Sequence, residues 1–141
     1  MVALEKLEQI KTEKLQQHQK VKALVINVEN ETGVSSPKIT LSRKSENFVR
    51  KLFENEVPEI KQGVVTIKSI AREAGQRTKI AIYSDDPMVD AIGACVGNRG
   101  ARVNAVVEEL GGEKIDIILW NEDPLAFIYK ALSPATVLSV T

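Results

Sequence analysis

The 141-residue sequence predicts an α+β protein, with a three-stranded sheet carrying its helices on one face. Three observations predict it. From Ser45 onward, apolar residues recur at helical spacing in some stretches and alternate in others. These stretches run in the order helix, strand, strand, helix, helix, strand. A glycine-bounded corner, Gly97-Asn98-Arg99-Gly100, joins the two consecutive helices.

Each element has its own signal. Val2 to Gln19 reads as an amphipathic helix, with Leu4, Leu7, Ile10 or Lys11, and Leu15 at helical spacing among Glu, Lys and Gln. It lacks the aromatic anchors and basic face of a membrane-surface helix. Val21 to Val28 has strand character, Glu29 to Gly33 is turn chemistry, and Pro37 to Ser42 is a second strand. The resulting hairpin is marginal alone and needs cover. Ser45 caps a helix with the stripe Phe48, Val49, Leu52 and Phe53, which Pro58 ends. Strands follow at Gly63 to Ile70 and Thr78 to Ser84, joined by a turn at Glu73 to Gln76. Asp85-Asp86-Pro87 opens the next helix. After the glycine corner, Ala101 to Leu110 is helical and Gly111-Gly112 stops it. Glu113 to Trp120 is the last strand, and Asp123-Pro124 starts a short helix, Leu125 to Leu132. The expected division is 1–44, 45–123 and 124–141, without internal repeats.

Composition narrows the function classes. Lys plus Arg equals Asp plus Glu at 19 each, so any nucleic-acid binding must come from a local patch. The single cysteine, Cys95, excludes an intrachain disulfide and a cysteine-built metal site, and its apolar face predicts a buried thiol. The only histidine, His18, lies in a polar stretch without ligand partners at metal spacing, so neither metal nor cofactor is expected. No run reaches the roughly 20 apolar residues of a membrane span, and the start lacks a signal pattern. A protein of the reducing cytoplasm is expected.

The corner carries the chemistry. A Gly-x-x-Gly turn between two helices is the backbone clamp of a KH domain, a single-stranded nucleic-acid binder. Glycines at 97 and 100 let a sugar–phosphate chain approach the main chain, and the amides opening the second helix favour phosphate. Arg99 and Arg102 are the candidate phosphate contacts, and Asn98 either bonds the ligand or tolerates the turn. Ile92, Val96, Ile80, Ile82 and Ile117 are candidates for the groove floor; periodicity alone leaves groove and core equally open for each. Lys114 reads as a solvated lysine, and Trp120 as packing on the terminal helix through Phe127 rather than as a base-stacking ring. The element order is that of the type II, bacterial, KH fold.

Longer matches then point to a family. Glu56 to Ile60, Ala71 to Gly75, Arg77 to Ala81, Gly93 to Gly97, Glu109 to Asp116 and Ala131 to Ala135 resemble the NusA family of bacterial transcription termination/antitermination factors. The resemblance covers roughly residues 21–137. It implies a first KH domain at 45–123, a connector after it, and at Lys20 to Arg43 the end of an S1-type OB barrel. Upstream, the chain departs from the pattern. Lys11 and His18-Gln19 stand where the family has a proline-containing loop and a Gly-Asp, which favours a helix there. The barrel's opening strands, the polymerase-binding domain and the second KH domain are expected to be missing. The resemblance implies single-stranded RNA and the RNA polymerase elongation complex as partners. Binding by one KH domain alone is expected to be weak. The alternative is a KH-shaped interaction or scaffold domain without RNA binding, with a homodimer through the N-terminal segment fitting its open sheet edges. An enzyme is not expected: the Lys-Ser/Thr of a phosphate-binding P-loop does not follow Gly100.

Overall fold

Two three-stranded sheets divide the chain. The computed structural model describes residues 2–30, 37–124 and 127–128. The first sheet contains β1 (Val2–Ala3), β2 (Leu24–Glu29) and β3 (Lys38–Ser42), in the order β1-β3-β2. The two strands expected from the alternation pair antiparallel, β2 with β3 from Leu24↔Ser42 to Glu29↔Lys38, while the expected turn at Glu29 to Gly33 lies mostly outside the described residues. The second sheet contains β4 (Thr66–Glu73), β5 (Arg77–Tyr83) and β6 (Lys114–Leu119). β4 and β5 are antiparallel, while β6 runs parallel to β5 and forms an edge. The helices are α1 (Glu46–Glu56), α2 (Pro58–Lys61), α3 (Ala91–Val96) and α4 (Ala101–Glu109).

One core unites them. Phe48, Val49, Leu52 and Phe53 of α1 pack with Ile67, Ile80, Ile82, Ala91, Cys95, Val106 and Leu110. Ser45 caps α1 as its sequence predicts, its hydroxyl accepting the Asn47 N–H at 3.2 Å. Ile80 and Ile82 are thereby core residues, 1% and 0% exposed, and do not reach a groove surface.

The first stretch corrects the sequence reading. Val2 to Gln19 is not a helix: Val2–Ala3 pairs with Ile39 and Thr40 of β3, and only Lys6–Glu8 makes a 3-10 turn. The apolar stripe is not used as a stripe, since Leu7 is exposed while Ile10 is buried in the common core. The Glu8 carbonyl accepts the N–H groups of Arg43 and Lys44, at 2.9 and 3.2 Å, instead of closing a helical turn. Tertiary partners override helix propensity here. Ile10 and Thr12 lie so close over the Gly75 turn that a Cβ at Gly75 would sit 2.4 Å from the Thr12 hydroxyl. His18 closes the Gln16 to Gln19 turn in a left-handed conformation, φ 67°.

Pro58 marks the end of α1 as expected, α1 stopping at Glu56, and it also occupies the first turn of the additional helix α2, where its missing N–H is harmless. One helix start moves. Asp85-Asp86-Pro87 does not open α3. Asp86 accepts the Met88 N–H within a turn, and Asp90 caps α3 by accepting the Gly93 N–H at 3.0 Å. The expected helix from Leu125 to Leu132 lies mostly outside the described residues; within them the Phe127 N–H reaches the Asp123 carbonyl.

Two buried ionic clusters join the sheets. The Arg43 guanidinium, 2% exposed, binds Glu13 through both carboxylate oxygens (2.6 and 2.9 Å) and Glu109 at 2.9 Å. It also donates to the carbonyls of Lys22 and Glu109 and lies over the Phe48 ring. Burial lowers its pKa, but the bonds and charges of Glu13 and Glu109 outweigh burial, leaving the pKa raised. Glu113 is equally buried and accepts from Arg72, the Gly75 N–H and the Thr78 hydroxyl. Arg72 in turn donates to the carbonyls of Arg43 and Ser45, both at 2.8 Å. No described buried side-chain N or O lacks a partner.

Candidate nucleic-acid interface

The corner is a pair of overlapping turns at Gly97 to Ala101, kinked at Arg99, between α3 and α4. Its backbone explains both glycines. Gly97 has φ 79° and ψ 176°, a region essentially confined to glycine, and a Cβ there would sit 2.7 Å from Arg102 Cγ and 2.9 Å from the Arg102 backbone nitrogen. Gly100 is left-handed at φ 76°. Arg99 is left-handed too, at φ 56°, where an L side chain costs about 1–2 kcal/mol. Asn98 and Arg99 both expose their side chains. The Gly100 and Ala101 N–H groups are turned inward, onto the carbonyls of Gly97 and Asn98.

Arg102 is placed differently from Arg99. Its stem lies against Gly97, and its guanidinium bonds within the fold. Nη1 donates to the Ala94 carbonyl at 2.7 Å and to Glu59 Oε2 at 2.8 Å. The contact ties α2 to the end of α3 and matches the arginine's charge.

Beside the corner runs an open groove of about 350 Å³. Ile92 and Val96 form its wall on α3 and Val103 on α4, while Ile115, Ile117 and Ile118 of β6 form the opposite side. The structure therefore brings Ile92, Val96 and Ile117 of the sequence candidates to one surface. Arg77, Lys79 and Asp116 line the remaining side, with Arg77 bonded to Asp116 through Nε at 2.8 Å. Val103 and Ile118 were not singled out by sequence. Their half-burial is set by the edge position of β6 and the entry angle of α4, which periodicity does not encode. Lys114 is exposed, as expected.

Cys95, one turn from the corner, faces inward and is 0% exposed. Burial, then the Glu59 charge, pushes its thiol up to about 11, with Arg102 pulling in the opposite direction. Trp120 packs edge to face on Tyr83, with ring centroids 5.5 Å apart, and Lys68 lies over both rings. Among the described residues no group of three or more His, Cys, Asp or Glu could hold a metal ion, and no helix is long and apolar enough to cross a membrane.

Comparison with known proteins matches the same region. The model of the NusA-like first KH domain covers residues 43–120, more than half of the chain. The transcription termination/antitermination protein NusA of Bacillus subtilis is 49% identical over 133 residues, which is 94% of this chain and 35% of that one. Its Thermus thermophilus counterpart is 48% identical over 137 residues, 97% of this chain and 35% of that one. The Mycobacterium bovis counterpart is 48% identical over 134 residues, 95% and 38% of the two chains. The chain thus spans about a third of the length of these relatives. With the helix–corner–helix unit and the parallel edge strand inside the matched segment, the chain belongs to the NusA family and carries its first KH domain.

Proposed function

We propose that this chain is a single-stranded RNA-binding module of a transcription termination/antitermination factor. The observation carrying it is the open, mostly aliphatic groove that starts at Val96 and Val103, on either side of the Gly97–Gly100 corner. RNA backbone would lie against the glycines, with Asn98 and Arg99 at the phosphates, and about four bases would rest along Ile92, Val96 and β6. Arg102 contributes less directly, because Glu59 already matches its charge. Binding, not catalysis, is the activity.

The finer architecture belongs to the same proposal. Residues 45–123 form a type II KH domain, 1–44 are the end of an OB barrel and 124–141 a connector. The order β1-β3-β2 and the exposure of Val25, Ile26 and Val28 fit a sheet whose barrel is continued by other strands. RNA polymerase is the larger partner and the cytoplasm the location. A homodimer through the N-terminal segment has no support, because Ile10 and Glu13 are engaged within their own chain.

Fluorescence anisotropy with a short labelled single-stranded RNA tests the binding reading. The expected Kd at low salt is on the order of 10–100 μM, weakening as salt rises. Gly97 is a poor probe, because any side chain there clashes with Arg102. Asn98→Asp with Arg99→Asp is better: both positions are exposed, and Asp tolerates the left-handed backbone at 99. The pair should weaken binding about tenfold or more without shifting Tm. Equal binding by parent and variant would refute the grip. Zero net charge favours the KH-shaped scaffold, and absent binding in the parent would leave that reading standing.

A further inference from the structure

Taking RNA as the ligand of the corner, we infer that Glu59 is a built-in counter-ion that competes with an RNA phosphate for Arg102. Arg102 lies at the corner itself: a Cβ on Gly97 would touch its Cγ and Cβ at 2.7 and 3.0 Å. Its guanidinium is held there by the Ala94 carbonyl and by Glu59, from α2. Both of these bonds spend one nitrogen, Nη1, so the fork keeps donors for an incoming oxyanion. Side chains of the pair are 32% and 34% exposed, so water and salt already weaken it. A phosphate arriving at Gly97 meets a positive charge that is positioned but neutralised. Glu59 therefore lowers affinity for any single strand and confines tight binding to RNA held by more than this one corner.

Other charges near the corner do not replace this role. Arg99 is exposed and makes no ion pair among the described residues, so it supplies the standing attraction. Asp90 is occupied in capping α3.

Glu59→Gln keeps an amide oxygen for Arg102 Nη1 and removes only the charge. At low salt it should bind single-stranded RNA about 3- to 10-fold more tightly than the parent. The slope of log K against log salt should steepen by about 0.7, one additional phosphate on a single strand. Arg102→Gln combined with Glu59→Gln should lose both gains. A purely structural ion pair predicts the opposite pattern: lower Tm, and affinity equal to or below the parent's. Parent binding with an unchanged Glu59→Gln would overturn the inference and leave RNA binding intact. No binding by the parent or by any variant would overturn both.

Discussion

The two sheets use similar strands but are held in different ways. In the second, strand alternation and helix stripes find their partners within one continuous stretch, and Ile67, Ile80 and Ile82 disappear under α1 and α3. In the first, β2 is exposed along nearly its whole length, and Val25, Ile26 and Val28 all face solvent. That sheet is anchored by a few long-range contacts: Ile10 in the core, Arg43 between Glu13 and Glu109, and the Glu8 carbonyl on the Arg43 and Lys44 amides. A region with a local core tolerates the loss of single contacts, whereas a region hung on a buried ion cluster does not.

The largest expected effect breaks that contrast at its hinge. Arg43→Ala strands two carboxylates and leaves a hole against Phe48, and should cost about 3 kcal/mol in urea unfolding. This is the low end for a buried pair, because Glu13 and Glu109 retain some access to water. Hydrogen exchange should show protection lost first in β1 to β3 and retained in β4 to β6. Simultaneous loss in both sheets would mean that they form one cooperative unit.

The next effect probes the second region. The Cys95 thiol is raised to about 11 in the fold, above the ordinary value of 9.0, so the folded state keeps a proton that the unfolded chain releases. Its contribution is complete below pH 9 and declines as pH rises from 9 to 11. The loss should reach about 2 kcal/mol near pH 10.5. Parallel unfolding of the parent and Cys95→Ala separates this loss from lysine and tyrosine titration; equal pH dependence in the two would place the thiol in contact with solvent.

The smallest effect returns to the first region. His18 occupies a left-handed turn at φ 67°, a conformation that glycine adopts without strain. His18→Gly should stabilise the chain by about 0.5–1 kcal/mol by thermal unfolding, the relief of backbone strain being partly offset by a freer unfolded state. Destabilisation would show that the imidazole makes a contact outweighing the strain.

This contrast also governs what the sequence reveals. Ser45, Gly111-Gly112 and the alternation at Ile115, Ile117 and Leu119 act on their neighbours, so their roles are readable in order along the chain. The glycine corner is readable for the same reason. The partner of Val2–Ala3 is some 37 residues away in β3, and no periodicity announces it. Leu4, Leu7 and Leu15 do fall at helical spacing, but helix propensity is weak against the anchoring of Ile10. Arg43 and Glu113 look like surface charges until the fold brings Glu13, Glu109, Arg72 and Thr78 around them. Within the candidate site, the turn at Gly97, Asn98 and Arg99 is readable from the sequence. The Glu59 bond to Arg102 is not, since it joins two elements 43 positions apart in the chain. Nor is the sorting of isoleucines, because Ile80 and Ile117 pair side by side across β5 and β6 yet only Ile117 reaches the groove.

Amide chemical-shift mapping with a short single-stranded RNA locates the binding surface on the protein. Shifts should concentrate at Gly97 to Gly100, Ile92, Val96 and Ile115 to Ile118. Perturbation confined instead to the exposed β2 strand, Leu24–Glu29, would contradict this placement.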